Sequence, residues 1–352
     1  MGKKEKKQRK KKSPLRILVT VVCILLASVL LILLGGRLFF RLPVYGYYRA
    51  SEKGFKIPAL SDGFVPQGLD YDRGGYFWVT GYMGDGSASP VYIVEKESGD
   101  LYKTVYLVNE DGSDYCGHAG GLVVGFDYVY VAGGEDNCVY VFDAAAFGAA
   151  EDGASVKAVG RISTMVSDGD YVQPACLYLQ VGEEKSYLYV LEFYKDPEYP
   201  TPDTHKITTP AGDLNQALAL VYEMDANGVF GVASAPTCAI SLPDKVQGMY
   251  MDDEYVYLST SWGTSFSHIY EYRWSDVLDT EGLTFLPGTT LPLYYLDSAS
   301  LNKDYKIPPM AEEIVIVDGK LYTMCESASN KYIFGKLTSS QWCYATDLGE
   351  MN

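Results

Sequence analysis

Polar side chains recur just before the apolar residue that anchors each of five similar stretches of the chain. The anchors are Leu69, Leu122, Leu177, Met249 and Ile314. Gln67, Gln247 and Glu312 lie two positions before an anchor, and His118 and Gln173 lie four positions before one. Amide, imidazole and carboxylate groups that meet at one place can bind a ligand, hold a cation or transfer protons. The spacing predicts one polar site assembled from separate stretches.

A second set of polar residues follows the aromatic segment that comes after each anchor. This set includes Glu192, Trp262 and Glu326. With the first set, these residues predict a polar, carboxylate-bearing cup that binds a ligand. The alternative is structural, because polar groups on the axis of a repeat fold are commonly hydrogen-bonded to one another or to water without any chemical role.

Metal binding is a further possibility for the same residues, and Glu312 and Glu192 are the candidate ligands. Their carboxylates suit a hard cation such as Ca²⁺ better than zinc. The sequence shows no HExxH, P-loop, GxGxxG or Ser-His-Asp pattern, so catalytic residues are unknown and enzymatic activity stays open. The cysteines have no CxxC spacing. They are interpreted mainly as free thiols, with Cys116–Cys138 as the first disulfide to test.

The elements that position these residues form a repeat. Each anchor segment is followed by an aromatic strand such as YVYVAGG or YVYLSTS and then by a third strand. The anchors are 53, 55, 72 and 65 residues apart, a period typical of stacked β-sheets. The sequence predicts an all-β, five-bladed β-propeller, with six blades as the alternative if the long third unit hides another. Residues 195–214, rich in Pro and Thr, are predicted to form a surface loop.

The last repeat is incomplete, so the last blade of the predicted propeller needs a fourth strand from elsewhere in the chain. Its third strand is expected in KYIFGKL, residues 331–337. The fourth strand would come from the C-terminal tail or, by strand exchange, from residues 54–60. Either arrangement closes a propeller.

The charge is divided between a basic end and an acidic body. Of the net charge of −16, residues 1–16 carry +8 and the remainder carries −24. Residues 17–34 are uncharged and, at roughly 1.5 Å per residue, span about 27 Å as a helix. This pattern predicts an uncleaved signal-anchor, with a cleaved signal peptide as the alternative. The basic flank would stay in the cytoplasm, and the acidic body argues against nucleic-acid binding.

These features predict four regions. They are a basic cytoplasmic tail (1–16), a transmembrane signal-anchor (17–36), a juxtamembrane linker (37–53) and an extracellular β-propeller (54–352). The protein would be a single-pass protein of the cell membrane. Its expected partners are the membrane, through the N-terminal helix, and a glycan or peptide of the cell envelope.

The segments PQGL, GHAGGL, VQGM and AEEI, each followed by an aromatic strand, resemble uncharacterised bacterial secreted or membrane-anchored β-propeller proteins. The blade pattern is more distantly similar to the senescence marker protein/gluconolactonase and strictosidine-synthase-like propellers. The former resemblance implies an axial divalent cation, held by Glu and Asn, that supports lactone hydrolysis. Only Glu312 or Glu313 matches the first glutamate, and Glu-Glu stands where that family has Glu-Gly. A ligand-binding module is the leading expectation and a divalent-metal-dependent lactonase or esterase the alternative.

Overall fold

The computed structural model describes residues 13–167, 170–286 and 289–351. Most of the predicted basic tail lies outside these residues. The described helices are α1 (Pro14–Arg41), α2 (Tyr45–Ala50), α3 (Ala144–Ala149) and α4 (Gly335–Thr338). Helix α1 is long and apolar enough to span a bilayer, a property that signal sequences share. The segment predicted as a linker contains the end of α1, helix α2 and the start of a strand.

The strands fall into four-stranded groups, numbered here in chain order, after a first strand β1 (Ser51–Lys56). Group 1 comprises β2 (Phe64–Tyr71), β3 (Tyr76–Met83), β4 (Pro90–Glu95) and β5 (Leu101–Val108). Group 2 comprises β6 (Leu122–Val124), β7 (Tyr128–Ala132), β8 (Cys138–Asp143) and β9 (Ala154–Ser163). A hairpin of β10 (Met165–Ser167) and β11 (Asp170–Tyr171) follows.

Groups 3 and 4 each carry an inserted hairpin. Group 3 comprises β12 (Pro174–Val181) and β13 (Ser186–Glu192), the hairpin β14 (Ile207–Thr208) and β15 (Leu214–Asn215), then β16 (Ala217–Glu223) and β17 (Cys238–Leu242). Group 4 comprises β18 (Val246–Met251), β19 (Tyr255–Thr260) and β20 (Ser267–Arg273), the hairpin β21 (Asp279–Leu286) and β22 (Thr289–Tyr295), then β23 (Leu301–Ile307). The second hairpin extends the group 3 sheet through a parallel β17–β22 pairing.

Group 5 is assembled from both ends of the chain. It comprises β24 (Ala311–Val317), β25 (Lys320–Cys325) and β26 (Trp342–Thr346), with β1 as its outermost strand. Strand β1 pairs antiparallel with β26, from Ser51 opposite Thr346 to Lys56 opposite Trp342. The C-terminal tail therefore supplies the third strand, where the sequence had suggested it for the fourth, and the fourth is Ser51–Lys56, which overlaps only the start of the predicted 54–60.

The first strands of the groups lie side by side in a closed ring. Strand β2 packs beside β6 and β24, β12 packs beside β6 and β18, and β18 packs beside β24. The strands approach closely because small residues face the neighbouring backbone. A Cβ atom on Gly121 would lie 2.6 Å from the Cα of Cys176, and one on Gly248 would lie 2.7 Å from the Cα of Glu313. This arrangement is β-propeller-like.

The predicted third strand of the last repeat is wrong. Residues 331–337 lie in the loop between β25 and β26 and include the start of α4. Within this loop Ile333 is 87% exposed, whereas the residues that pair with β25 are Tyr344, Ala345 and Thr346. Apolar residues alternate similarly in residues 331–337 and in β26. Only β26 pairs with β25.

The closing strand β1 is held by a buried aromatic side chain. Phe55 is 1% exposed, and its ring centroid lies 5.2 Å from that of Phe77 on β3. Phe55→Ala is expected to lower the free energy of unfolding by about 4 kcal/mol, because it removes a buried ring and leaves a cavity. The exposed Lys56→Ala is the control and should cost under about 0.5 kcal/mol. Chemical denaturation measures both, and equal small losses would contradict the docking of β1.

Candidate functional site

The sequence-predicted polar residues lie at one end of the ring, which we call the mouth. Strands β2, β12, β18 and β24 begin there, and their partners β3, β13, β19 and β25 end there. The pairings Val65–Tyr82, Pro174–Glu192, Val246–Thr260 and Ala311–Cys325 mark this end. The expectation that the two sets of polar residues share one end of the fold agrees with this strand geometry.

Irregular strand pairing places the residues two positions before the anchors. The register shifts between Pro66 and Leu69, between Val246 and Gly248, and between Ala311 and Ile314. Gln67, Gln247 and Glu312 lie within these β-bulges, where extra residues bend a strand and redirect its side chains. The bulge gives Glu312 and its neighbour Glu313 fully buried side chains in succession, at 2% and 1% exposure.

Glu313 occupies the centre of the ring. Its Oε2 accepts hydrogen bonds from the backbone N–H groups of Leu69 at 2.6 Å and Leu122 at 3.1 Å, and its Oε1 accepts one from Leu177 at 3.2 Å. One side chain from β24 thus binds the first strands of groups 1, 2 and 3. Burial raises the pKa of Glu313 well above its usual range, and the three N–H donors oppose that rise. This contact is structural and was missed in the sequence.

Glu312 belongs to a cluster of ionisable groups at the mouth. Burial raises the pKa of Glu312 well above its usual range, and the nearby charges of Glu326 and Glu313 raise it further. Glu326 Oε1 accepts hydrogen bonds from the hydroxyls of Tyr82 at 3.1 Å and Tyr332 at 2.9 Å. Two neighbouring carboxyl groups in a low-dielectric site favour holding a proton between them.

Two further side chains border this carboxyl cluster. The Tyr82 ring lies 4.6 Å from the ring of His118, centroid to centroid. Lys331 Nζ donates to the Tyr82 hydroxyl at 2.6 Å. The structure therefore brings His118, Glu312 and Glu326 into one part of the mouth, together with Tyr82, Tyr332 and Lys331.

Glu192 is engaged elsewhere. It is fully buried, and its Oε2 lies 2.8 Å from His205 Nδ1 and accepts the Leu218 N–H at 3.0 Å. Its Oε1 accepts the Gln173 N–H at 3.4 Å. His205 Nε2 in turn lies 3.1 Å from Asp170 Oδ1. Burial opposes protonation of His205, but the two carboxylates outweigh it and raise the pKa of the imidazole above its ordinary value.

This pairing changes the interpretation of the group 3 insert. Residues 195–214 include a hairpin and a short helical turn that carries fully buried His205. The insert is at the surface, yet one side chain fastens it to the interior through Glu192. The sequence signal was a histidine in an otherwise polar insert, and its spacing gave no indication of its partners.

The remaining predicted residues are dispersed around the mouth. Gln67 is 7% exposed, and its Nε2 donates to the Pro66 carbonyl at 2.9 Å. Gln173 and Gln247 are half-buried on groups 3 and 4. Trp262 follows β19 and lines a cavity of about 610 Å³ beside the mouth. The predicted set therefore divides into a carboxyl cluster, the buried Glu192–His205 pair, the cavity residue Trp262, and three glutamines that join none of these.

The cavity combines an aromatic wall with acidic groups. The aromatic and imidazole rings that line it are those of Trp262, Phe266, His268, Tyr270 and Tyr272. Three aspartates, Asp213, Asp244 and Asp297, also contribute to the lining. Lysines of the chain lie over two of the rings: Lys195 Nζ is 5.3 Å from the Trp262 centroid, and Lys306 Nζ is 4.3 Å from that of Phe266. Such surfaces contact both apolar and cationic groups.

Asp297 distinguishes this cavity from an ordinary surface depression. The residue is 6% exposed, and its Oδ1 accepts the Ala299 N–H at 3.0 Å. Its Oδ2 is buried and has no hydrogen-bond partner among the residues that the structure describes. By contrast, Asp213 Oδ2 accepts the Ser298 N–H at 2.7 Å, and Asp244 accepts from Gln216. A buried acceptor that lacks a donor is costly, so Asp297 adds a desolvated carboxyl group to the wall of the cavity.

Metal-ligating and thiol side chains form no further site within the described ranges. Within the described ranges, no group of three or more His, Cys, Asp or Glu side chains is placed to hold a metal ion. Ca²⁺ binding by Glu312 and Glu192 stays a prediction. All seven cysteines, each in a described segment, are free thiols, and Cys116 is exposed while Cys138 is buried.

Comparison with known proteins gives only distant structural similarity. No family model matches the chain, and no curated protein matches it. The specific propeller families of the sequence resemblance therefore gain no support. Solved structures that the chain resembles include Myxococcus xanthus glutaminyl cyclase, at 11% identity and TM-score 0.40, covering 84% of this chain and 93% of that one.

Two other enzymes show similar values. Lactobacillus brevis α-L-arabinofuranosidase is 9% identical with a TM-score of 0.42, covering 83% of this chain and 91% of the enzyme. The PQQ-bound aldose sugar dehydrogenase of Streptomyces coelicolor is 12% identical with a TM-score of 0.42, covering 84% and 95%. At this level the similarities add no argument about the activity of this protein.

The hydrogen bonds of Glu313 give a stability prediction. Both carboxylate oxygens accept backbone N–H groups, so either orientation of the amide in Glu313→Gln turns an NH₂ group toward a donor. We expect a loss of about 3 kcal/mol in the free energy of unfolding. The exposed Glu184→Gln makes the same chemical change and should be nearly neutral. Calorimetry or denaturant titration measures both, and a neutral Glu313→Gln would contradict the central role of this carboxylate.

His205 gives a second prediction. His205→Ala removes the imidazole beside fully buried Glu192, so we expect a loss of about 3 kcal/mol and faster tryptic cleavage after Lys206 in the insert. His268→Ala is the matched control, because His268 pairs with Asp304 at a partly exposed site. Exposed pairs contribute under about 1 kcal/mol. Unchanged cleavage in His205→Ala would show that the insert is fastened by other contacts.

Proposed function

We propose that this protein is a membrane-anchored, five-bladed β-propeller that binds a ligand of the cell envelope. The five groups of four strands, with their first strands in a ring, support one blade per group. Helix α1 supports anchoring, and the basic residues before it favour a cytoplasmic N-terminus and an extracellular propeller. The role as a binding module rests on the cavity beside the mouth.

The carrying observation is the aromatic cavity itself, with Trp262 in its wall and three aspartates in its lining. Carboxyl groups close to rings that offer flat contact surfaces suit a ligand that presents hydroxyl, amide or ammonium donors. A glycan supplies hydroxyl groups and C–H faces for the rings, and a peptide supplies amides and basic side chains. The cavity of about 610 Å³ is within the size range of small-ligand sites.

The carboxyl cluster supports a second candidate, hydrolysis by proton transfer. Burial is the main cause of the raised pKa values of Glu312 and Glu326, and a carboxyl group with a raised pKa is a candidate proton donor. A metal-dependent lactonase or esterase would additionally need a cation at these carboxylates. The cavity is favoured as the binding site, because Glu326 is already hydrogen-bonded by two tyrosines.

Substitutions in the cavity test the binding proposal. Ligands are first identified by applying the detergent-solubilised full chain to oligosaccharide and peptide arrays. Trp262→Ala and Asp297→Asn should each weaken binding of the hits at least about tenfold, equal to about 1.4 kcal/mol. Trp342→Ala is the matched control, because Trp342 lies on group 5 under Lys53 much as Trp262 lies under Lys195. Asp253→Asn, in an exposed turn, controls for the lost charge.

A mouth variant separates the two locations. Gln67, His118 and Glu312 are replaced together by alanine, and affinity for the same hits is measured. Affinity within about threefold of the wild type, under 1 kcal/mol, supports the cavity. If this variant loses binding while Trp262→Ala and Asp297→Asn retain it, the ligand binds at the mouth and the cavity proposal is overturned.

A further inference from the structure

The connection between α1 and the propeller has a defined direction. We follow the chain from β1 back toward α1. It first reaches Ala50, whose carbonyl accepts the N–H of Asp347 beyond the end of β26 that is farthest from the mouth. Tyr48 packs against Tyr344 in the middle of β26, with ring centroids 5.7 Å apart. Arg41 then donates to Ser339 Oγ at 2.9 Å, before the start of β26. The path therefore runs along group 5 toward the mouth and past it.

Helix α2 is fixed along this path. Val44 and Tyr47 are 2% and 1% exposed and pack into a cluster that includes Tyr305 of group 4 and Ile314 of group 5. The segment therefore fills the space between two neighbouring groups. A buried wedge of this kind prevents α1 from swinging freely relative to the propeller.

Helix α1 also contacts the rim of the mouth directly. Phe40 stacks on Phe334 with centroids 5.5 Å apart, and Arg37 donates to Ser339 at 3.2 Å. Gly36 lies against Leu337 of α4, where a Cβ atom would be 2.9 Å from Leu337 Cδ1. The apolar run of α1 ends at Leu34, two residues before Gly36. The loop that bears α4 therefore lies within one helical turn of the end of that run.

The rim exposes apolar side chains at this level. Ile333 is 87% exposed, and Phe39 and Tyr45 are 66% and 64% exposed. Basic residues accompany them, including Arg37 on α1 and Lys331 and Lys336 in the loop. Exposed apolar and aromatic residues beside basic ones are typical of surfaces in the interfacial layer of a bilayer.

We propose that the α4 loop on the rim of the mouth rests on the outer surface of the bilayer, so that the mouth faces the membrane. This inference depends on the anchoring role of α1 in the proposed function and extends it by assigning the surface that meets the lipid. The partner is the lipid surface: its acyl boundary accepts Ile333 and Phe39, and its phosphates accept the basic side chains. Ligands at the mouth would then be presented from the membrane side.

Lipid-quenching measurements test this orientation. The full chain is reconstituted into vesicles of phosphatidylcholine and phosphatidylglycerol that contain nitroxide-labelled lipid. A fluorophore is attached at one cysteine at a time: native Cys23 in α1, Ile333→Cys on the rim, or Asp318→Cys in the turn at the opposite end of β24. Exposed Cys116 and partly exposed Cys238 are replaced by serine throughout, and Cys23 is replaced by serine in the latter two. Asp318 is separated from the mouth by the seven residues of β24, or about 20 Å.

We expect the labels at positions 23 and 333 to be quenched severalfold more than the label at position 318. Quenching at position 23 with equal, weak quenching at positions 333 and 318 would overturn the orientation while leaving the anchor in place. Absence of lipid quenching at position 23 would overturn the anchor and the orientation together. Position 333 is an exposed loop site, so Ile333→Cys is not expected to disturb folding.

Discussion

The ring depends on one carboxylate at its centre. Glu313 projects from β24 and accepts backbone N–H groups from three other first strands. These N–H groups point inward, where no neighbouring strand can accept them, and buried donors require a partner. The residues one position before the other anchors are Gly68, Gly121, Cys176 and Gly248. Their small side chains leave the space that Glu313 fills.

The central carboxylate also determines what the mouth can do. Glu313 fills the axis of the ring. Its neighbour Glu312 lies close to Glu326, which accepts hydrogen bonds from Tyr82 and Tyr332. Glu313 therefore has a structural role in the ring. The polar groups that a ligand could contact lie around it. The cavity that Trp262 lines lies apart from this cluster and is bordered by residues of group 4 and of the hairpin inserted in group 3.

The β-rich fold could be predicted from the sequence because each first strand carries an apolar anchor and each second strand an aromatic run. Five anchors at similar spacing identified β2, β6, β12, β18 and β24. Gln67, Gln247 and Glu312 were placed at the mouth, but Glu313 was considered only as a match to a metal-binding glutamate, because its structural role depends on backbone donors from distant strands. His205 and Asp297 were missed for a similar reason: burial and partners of a loop residue follow from tertiary packing. The prediction of the third strand of group 5 was wrong because two nearby segments have comparable β-propensity.

The closure of group 5 by β1 has a mechanical consequence. The chain passes from helix α1 along the α2 wedge to the end of group 5 that lies farthest from the mouth, and only then enters β1. Under the proposed anchoring of α1, a tensile load between membrane and propeller reaches the packed side chains of Val44 and Tyr47 before it reaches any strand. If that wedge yields, the load pulls Ser51 back toward the mouth, so the hydrogen bonds between β1 and β26 break one after another from Ser51 toward Lys56. The packing of Val44 and Tyr47 therefore protects β1 from stepwise peeling.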